Sequence, residues 1–237
     1  MSHPLRGLIT AQFFGAFNDN AWKYIILTLA IRPIITRTGG DGAQFSQESQ
    51  IQTAVALLVF TLPMMLFSLP AGVLADRISK RSIILWMKSV EMALMAGAAL
   101  SLYLSPTNLV VPMAILALMG VQSALFSPAK YGILPEILPH EKLSAGNGYL
   151  EMWSMLAIIA GTGLGPVFLM LDLEGSRSHL TFIAPAVLIV LALAGLLSAR
   201  YVPHVKPAGP VASSPPPGPP GRPSPPTACF IWQYSAA

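Results

Sequence analysis

The sequence predicts an all-α membrane protein with six transmembrane helices and a disordered, Pro-rich C-terminal tail. Three observations carry that expectation. Of 237 residues, 54% are hydrophobic and only 10% are charged, against roughly 25% charged in a soluble globular domain. Six apolar stretches, each about as long as a bilayer crossing needs, precede residue 201. Beyond it the composition breaks, and residues 201–237 hold 11 of the 22 prolines. The same arithmetic argues against a soluble enzyme or a secreted disulfide scaffold, because Lys plus Arg number 14, Asp plus Glu number 10, and mean hydropathy is +0.62. The single cysteine, Cys229, has no partner within the chain. No Cys or His cluster has the spacing of a zinc site, so neither metal nor cofactor is expected. The net charge of +4 and pI near 9.4 arise from basic residues scattered at helix ends, a pattern that sets membrane orientation and does not build a nucleic-acid surface.

A hydrocarbon layer of about 30 Å takes about 20 helical residues at 1.5 Å each. The first stretch, 8–31, carries Asn18, Asp19 and Asn20 in its middle. It is too long for a secretory signal and has no small-residue cleavage site, so it is expected to remain in the protein. The second and third run over 51–75 and 82–104, the fourth over 109–127, the fifth over 146–171 and the sixth over 180–199. An even number places both ends on one side. With the N-terminus cytoplasmic, the inner segments hold Arg6, Arg77, Lys80, Arg81, Lys130, Lys142, Arg200 and Lys206, and the outer ones only Arg32, Arg37 and Arg177. Eight against three predicts both termini inside. Domain boundaries follow: a six-span unit over 1–200 and a tail over 201–237, where Pro215-Pro216-Pro217-Gly218-Pro219-Pro220 stops helix and strand alike. Its composition fits a structureless extension or a PxxP ligand, and the sharp break also fits truncation or a change of reading frame.

Residues Gly72-Val73-Leu74-Ala75-Asp76-Arg77-Ile78-Ser79-Lys80-Arg81 stand between the second and third stretches. Glycine permits close approach of helices, an aspartate can cap a helix end or pair with a cation, and the basic cluster suits a cytoplasmic loop. The segment resembles the loop motif GxxxDRxGR(K/R) of the major facilitator superfamily, with Ser79 in place of the second glycine. The resemblance implies a gating loop built on Gly72, Asp76, Arg77, Lys80 and Arg81. In the fifth stretch Gly161, Gly165 and Pro166 form GxxxGP, similar to a motif of facilitator exchangers. Small residues four apart also make an ordinary packing ridge, and both readings stay open.

Two further segments narrow the resemblance. Phe14-Gly15-Ala16-Phe17-Asn18-Asp19-Asn20-Ala21-Trp22-Lys23 and Ala124-Leu125-Phe126-Ser127-Pro128-Ala129-Lys130-Tyr131-Gly132-Ile133-Leu134-Pro135-Glu136 look like the lysophospholipid transporter branch. So does Leu143-Ser144-Ala145-Gly146-Asn147-Gly148-Tyr149-Leu150-Glu151. That branch moves lysophospholipids across the bacterial inner membrane in twelve spans arranged as two six-helix halves. The resemblance therefore implies one half of a facilitator fold, the N-terminal one, with membrane lipid as surroundings and lysophospholipid as substrate.

Charge inside a bilayer costs at least about 2.5 kcal/mol per residue at the centre, so it calls for a reason. Asp19 and Lys23 lie four apart on the first stretch, and Lys88 and Glu91 three apart on the third; each pair shares a helical face. Glu151 opens the fifth, in near-helical register with Asn147, Ser154, Gly161 and Gly165. Asn18, Asp19, Asn20, Lys23, Lys88, Glu91 and Glu151 are candidates for a polar path taking a headgroup or coupling ion, or for an internal network locking helices together. The four histidines fall outside the apolar stretches, and no nucleophile elbow or paired catalytic acid is present. The expected function is transport, by a half needing a second six-helix half or self-association. The alternative is a membrane anchor for phospholipid acyltransferase machinery. On this topology, a cysteine placed at Ser79 in a Cys229-free background should react only with membrane-permeant reagents; labelling from outside by an impermeant reagent would reverse the orientation.

Overall fold

A computed structural model describes residues 3–40, 42–105, 108–175 and 183–203, with the side chains of 171–175 and 183 excepted. The Pro-rich segment from residue 204 onward lies outside the described residues, as do Arg177 and His179. Helix α1 runs over His3–Thr38, α2 over Gly42–Arg77, α3 over Lys80–Leu104 and α4 over Val110–Gly132. A short α5, Leu134–Ile137, and a 3-10 turn at His140–Lys142 lead into α6, Leu143–Gly175, and α7, Ile183–Ala199. The six long helices coincide with the six apolar stretches, and the described residues contain no strand.

Two features depart from the expected spans. First, α1 and α2 each have 36 residues, because a helix continues into polar sequence until something stops it. The stop is the turn at Gly39 and Gly40, whose φ angles of 76° and 84° are left-handed values that glycine adopts without steric cost. Second, among the described residues only four segments are both long and apolar enough to cross a membrane on their own: Gly42–Arg77, Lys80–Leu104, Val110–Ile137 and His140–Met170. Asn18, Asp19, Asn20 and Lys23 lower the hydropathy of α1, and α7 is 17 residues long.

Burial explains how so polar a helix is housed. α1 packs against α6, α7, α2 and α4, while α2 and α3 both pack on α4, and α3 on α7. Trp22, Ile25 and Ile26 of α1 are fully buried, whereas α2 buries only Ala56, Phe60, Ala71 and Ala75. Two apolar cores result. One gathers Phe17, Trp22, Ile25, Met95, Leu116, Met119, Ala157 and Leu188. The other gathers Leu8, Ala11, Ile84, Phe126, Ala129, Leu150 and Ala199, and reaches Val202, beyond the last helix.

Between the two cores, on five of the six long helices, the sequence turns polar or small; α2, which also contributes to both, stays largely apolar there. Gln12 and Gly15 occupy that level on α1, Lys88 and Glu91 on α3, Gln122 and Ser123 on α4, Ser154 on α6 and Gly195 on α7. Lys88 and Glu91 form an ion pair of 2.7 Å with both side chains 1% exposed. A Cβ at Gly15 would lie 2.3 Å from the Lys88 Nζ, so glycine there makes room for the ammonium group.

Close helix packing uses glycine in the same way. A Cβ at Gly161 would stand 2.5 Å from the Phe17 carbonyl oxygen, and one at Gly165 2.6 Å from that of Ala21. The two glycines therefore lay α6 directly on the α1 backbone, which is the packing role of the GxxxG pattern; helix α6 continues through Pro166. Gly161→Ala should lower stability by about 1–3 kcal/mol through overpacking, while Gly163→Ala, where a Cβ meets nothing within 4 Å, should not; thermal unfolding in detergent reads both. Glu91→Gln should cost about 3–5 kcal/mol by leaving a buried cation uncompensated. Lys88→Met combined with Glu91→Leu should be milder than Glu91→Gln alone in the same assay.

Candidate functional site

At the level of the polar layer a cavity of about 680 Å³ opens between α1, α2, α3 and α4, with Ile158 of α6 at its edge. Asp19, Asn20, Lys23, Lys88 and Glu91 all line it. They lie on one wall because residues 12, 16, 19 and 23 recur at helical spacing along α1, while the i, i+3 pair of α3 approaches from beside it.

Their contacts differ from the expected pairing. Asp19 and Lys23 do not form an ion pair. The Ser123 hydroxyl of α4 donates to Asp19 Oδ2 at 2.5 Å. Lys23 turns the other way, donating to Asn20 Oδ1 at 3.3 Å with its ammonium 4.2 Å from the centre of the Phe60 ring. A cation over an aromatic face gains electrostatic attraction without a counter-ion. Lys88 and Glu91 do pair, and the second oxygen of Glu91 accepts a hydrogen bond from Asn18 Nδ2 at 3.1 Å. Asn18 is fully buried behind the wall and also donates to the Leu188 carbonyl of α7 at 3.2 Å. It supports the site without lining it.

Glu151 does not line the cavity either. It accepts a hydrogen bond from the Tyr131 hydroxyl, and Tyr131 and Lys130 are the residues that reach the cavity at that end. The predicted polar face of the fifth stretch is divided. Ser154 is buried and accepts from Gln12 Nε2 at 2.9 Å, Gly161 and Gly165 are buried against α1, and Asn147 is exposed.

The loop motif is likewise divided. Gly72 has no atom near enough to meet a Cβ, so it serves no close approach among the described residues. Asp76 and Arg77 are exposed, and Asp76 neither caps nor pairs among the described residues. Ser79 caps α3 instead, its hydroxyl accepting from the Ser82 backbone N–H at 3.3 Å; this is a serine's use of a position where the motif has glycine. Lys80 pairs with Glu136 of α5 and lies over Gly132, where a Cβ would stand 2.8 Å from the lysine Cε. Arg81 is half-buried at the start of α3.

Gln12, Ser123, Lys130 and Tyr131 also line the cavity and were not among the residues expected to form the polar path. Stepping back along α1 from Asp19 by one and two turns reaches Ala16 and Gln12, and Ser123 is a polar residue within the fourth apolar stretch. Those were the available signals. Of the charged groups lining the cavity, Lys88 and Glu91 pair with each other, whereas one carboxylate, Asp19, and two ammonium groups, Lys23 and Lys130, are in no ion pair among the described residues. Phe60, Met64 and Met65 of α2 form an apolar wall facing them. Such a site can take a polar group of mixed charge and hold apolar matter beside it.

Comparison with known proteins agrees with this architecture. The family model described as Major Facilitator Superfamily matches residues 8–234. The lysophospholipid transporter LplT of Salmonella heidelberg (strain SL476) is 30% identical over 210 residues, covering 88% of this chain and 45% of that protein. The proteins of the same name from Salmonella schwarzengrund (strain CVM19633) and Salmonella agona (strain SL483) are 30% and 31% identical over 211 residues, with the same coverage. The chain thus spans about half the length of the curated relatives it matches. The family match, six long helices and a cavity bearing charged side chains within an otherwise apolar bundle make this chain a multi-pass membrane protein belonging to the major facilitator superfamily.

Proposed function

We propose that this chain forms one six-helix half of a lysophospholipid transporter of the bacterial inner membrane, with both termini cytoplasmic. The observation that carries the reading is the cavity in which Asp19, Lys23 and Lys130 have no ionic partner among the described residues and stand beside an apolar wall of α2. A zwitterionic headgroup offers a phosphate to the two ammonium groups and an amine to the carboxylate, and a single acyl chain suits the surface of Phe60, Met64 and Met65. A membrane anchor has no use for three such charges at this depth, where each costs several kcal/mol. The name of the relatives supports the substrate class.

In this reading Asn20 positions the Lys23 ammonium, Ser123 orients Asp19, and the segment Gly72 to Arg81 serves as the gating loop. Alternating access in the superfamily is a rocking of two six-helix units around a site at their interface. The cavity described here is one wall of that site, completed by a second six-helix unit or by self-association. In liposomes, lysophosphatidylethanolamine movement should therefore appear when chains associate or a companion half is supplied, and be absent at protein-to-lipid ratios that keep chains separate. Asp19→Asn should reduce that movement at least about tenfold, the loss of one charge-assisted contact, with protein level unchanged. Transport by demonstrably monomeric chains would overturn the half-transporter reading, and unchanged uptake by Asp19→Asn would remove Asp19 from the site.

A further inference from the structure

On another flank of α1, Arg6, Ile9, Thr10 and Phe13 stand at i, i+3, i+4 and i+7, a single helical face. With Trp153 of α6 they line a second groove, of about 380 Å³, that shares no residue with the charged cavity. Its two ends differ in chemistry. At one end Arg6 is exposed, and its guanidinium forms no ion pair among the described residues. The neighbouring Thr10 hydroxyl is used within the helix, donating to the Arg6 carbonyl at 2.8 Å. At the other end Ile9 is buried at 5% exposure, and the Phe13 and Trp153 rings meet edge to face with centroids 5.9 Å apart. Arg6 and Phe13 are separated by about 10 Å along the helix axis. The groove is partitioned from the charged cavity by the buried hydrogen bond between Gln12 and Ser154, one residue from Phe13 and one from Trp153.

From this geometry we infer that the groove binds an anionic phospholipid of the surrounding bilayer, with its phosphate on the Arg6 guanidinium and one acyl chain along Ile9, Phe13 and Trp153. No acidic side chain lines the groove to balance Arg6, so a headgroup of net negative charge is favoured over a zwitterionic one. Guanidinium matches phosphate in a planar two-point contact. Beyond Arg6 and Thr10 the lining is apolar and aromatic, the surface that hydrocarbon covers without stranding a polar group, with a tryptophan of the kind that anchors at a membrane interface. The bound lipid reinforces the seam between α1 and α6 where the Gln12–Ser154 hydrogen bond crosses it. This site is independent of the transport reading, because none of its residues faces the charged cavity.

Trp153 supplies the readout. The full chain and its Trp153→Phe variant are placed in phosphatidylcholine nanodiscs containing brominated phosphatidylglycerol or, separately, brominated phosphatidylcholine, and the fluorescence difference between the two proteins isolates the Trp153 emission. Quenching of that emission should show a relative affinity about fivefold in favour of phosphatidylglycerol, the factor carried by one cationic side chain near an anionic lipid. The preference should fall to near unity in Arg6→Gln and persist in Arg6→Lys. Equal affinity for the two lipids in the unaltered chain, or a preference that survives Arg6→Gln, would overturn the site. Relief of quenching by lysophosphatidylethanolamine at lower concentration than by unlabelled phosphatidylglycerol would assign the groove to a single-chain zwitterionic lipid and overturn the proposed occupant.

Discussion

The ion pair between Lys88 and Glu91 organises the bundle. Two charges 2.7 Å apart and 1% exposed are tolerable in an apolar interior only when each is neutralised and their remaining polar atoms find partners. Glu91 therefore holds Asn18 of α1, and Asn18 in turn holds the Leu188 carbonyl of α7. Three helices are fixed in register by this requirement. Gly15 is part of it as well, since any side chain at that position would occupy the space of the ammonium group. The net stabilisation from such a pair is small, because desolvation offsets most of the Coulomb attraction. Its effect is on specificity: the two apolar cores meet at a level where only this arrangement of α1, α3 and α7 leaves no charge stranded.

Satisfying those two charges internally changes the character of the remaining ones. Lys23, Asp19 and Lys130 reach the same cavity, yet their contacts are with a ring, a hydroxyl and a neighbouring tyrosine. These partners hold a side chain in place while leaving its charge uncompensated. Residues of the same chemical types thus divide, along one wall, into a mutually neutralised pair and an unpaired set. In the proposed function, ligand recognition belongs to the unpaired set.

Features encoded within one stretch were legible in the sequence. The apolar stretches anticipated the six long helices, and the i, i+3 spacing of Lys88 and Glu91 anticipated their pairing. Spacing failed where a partner on another helix competes. Asp19 and Lys23 are equally well placed on one face, but Ser123 lies 104 residues away in sequence and offers Asp19 a shorter hydrogen bond. The role of Gly15 was hidden for the same reason, since its neighbour Lys88 is on α3. On α6, the face expected from Asn147 to Gly165 is buried at Ser154, Gly161 and Gly165 but exposed at Asn147. Glu151 found Tyr131 instead, a contact made by the corner after α4 that periodicity does not encode.

The length of the first two helices bears on how the protein sits in its solvent. Thirty-six residues extend about 54 Å, and even at the steep end of observed inclinations, about 40°, such a rod rises about 41 Å across a hydrocarbon slab of about 30 Å. Tilting alone cannot absorb the excess, so part of this hairpin must stand in the headgroup layer or beyond. The pair formed by Arg37 and Glu48, which ties the end of α1 to the start of α2, then lies in water and counter-ions. Its attraction weakens as ionic strength rises. The far corner of the hairpin is therefore sensitive to salt and to bilayer thickness, while the Lys88–Glu91 pair, with both side chains 1% exposed, is far less so.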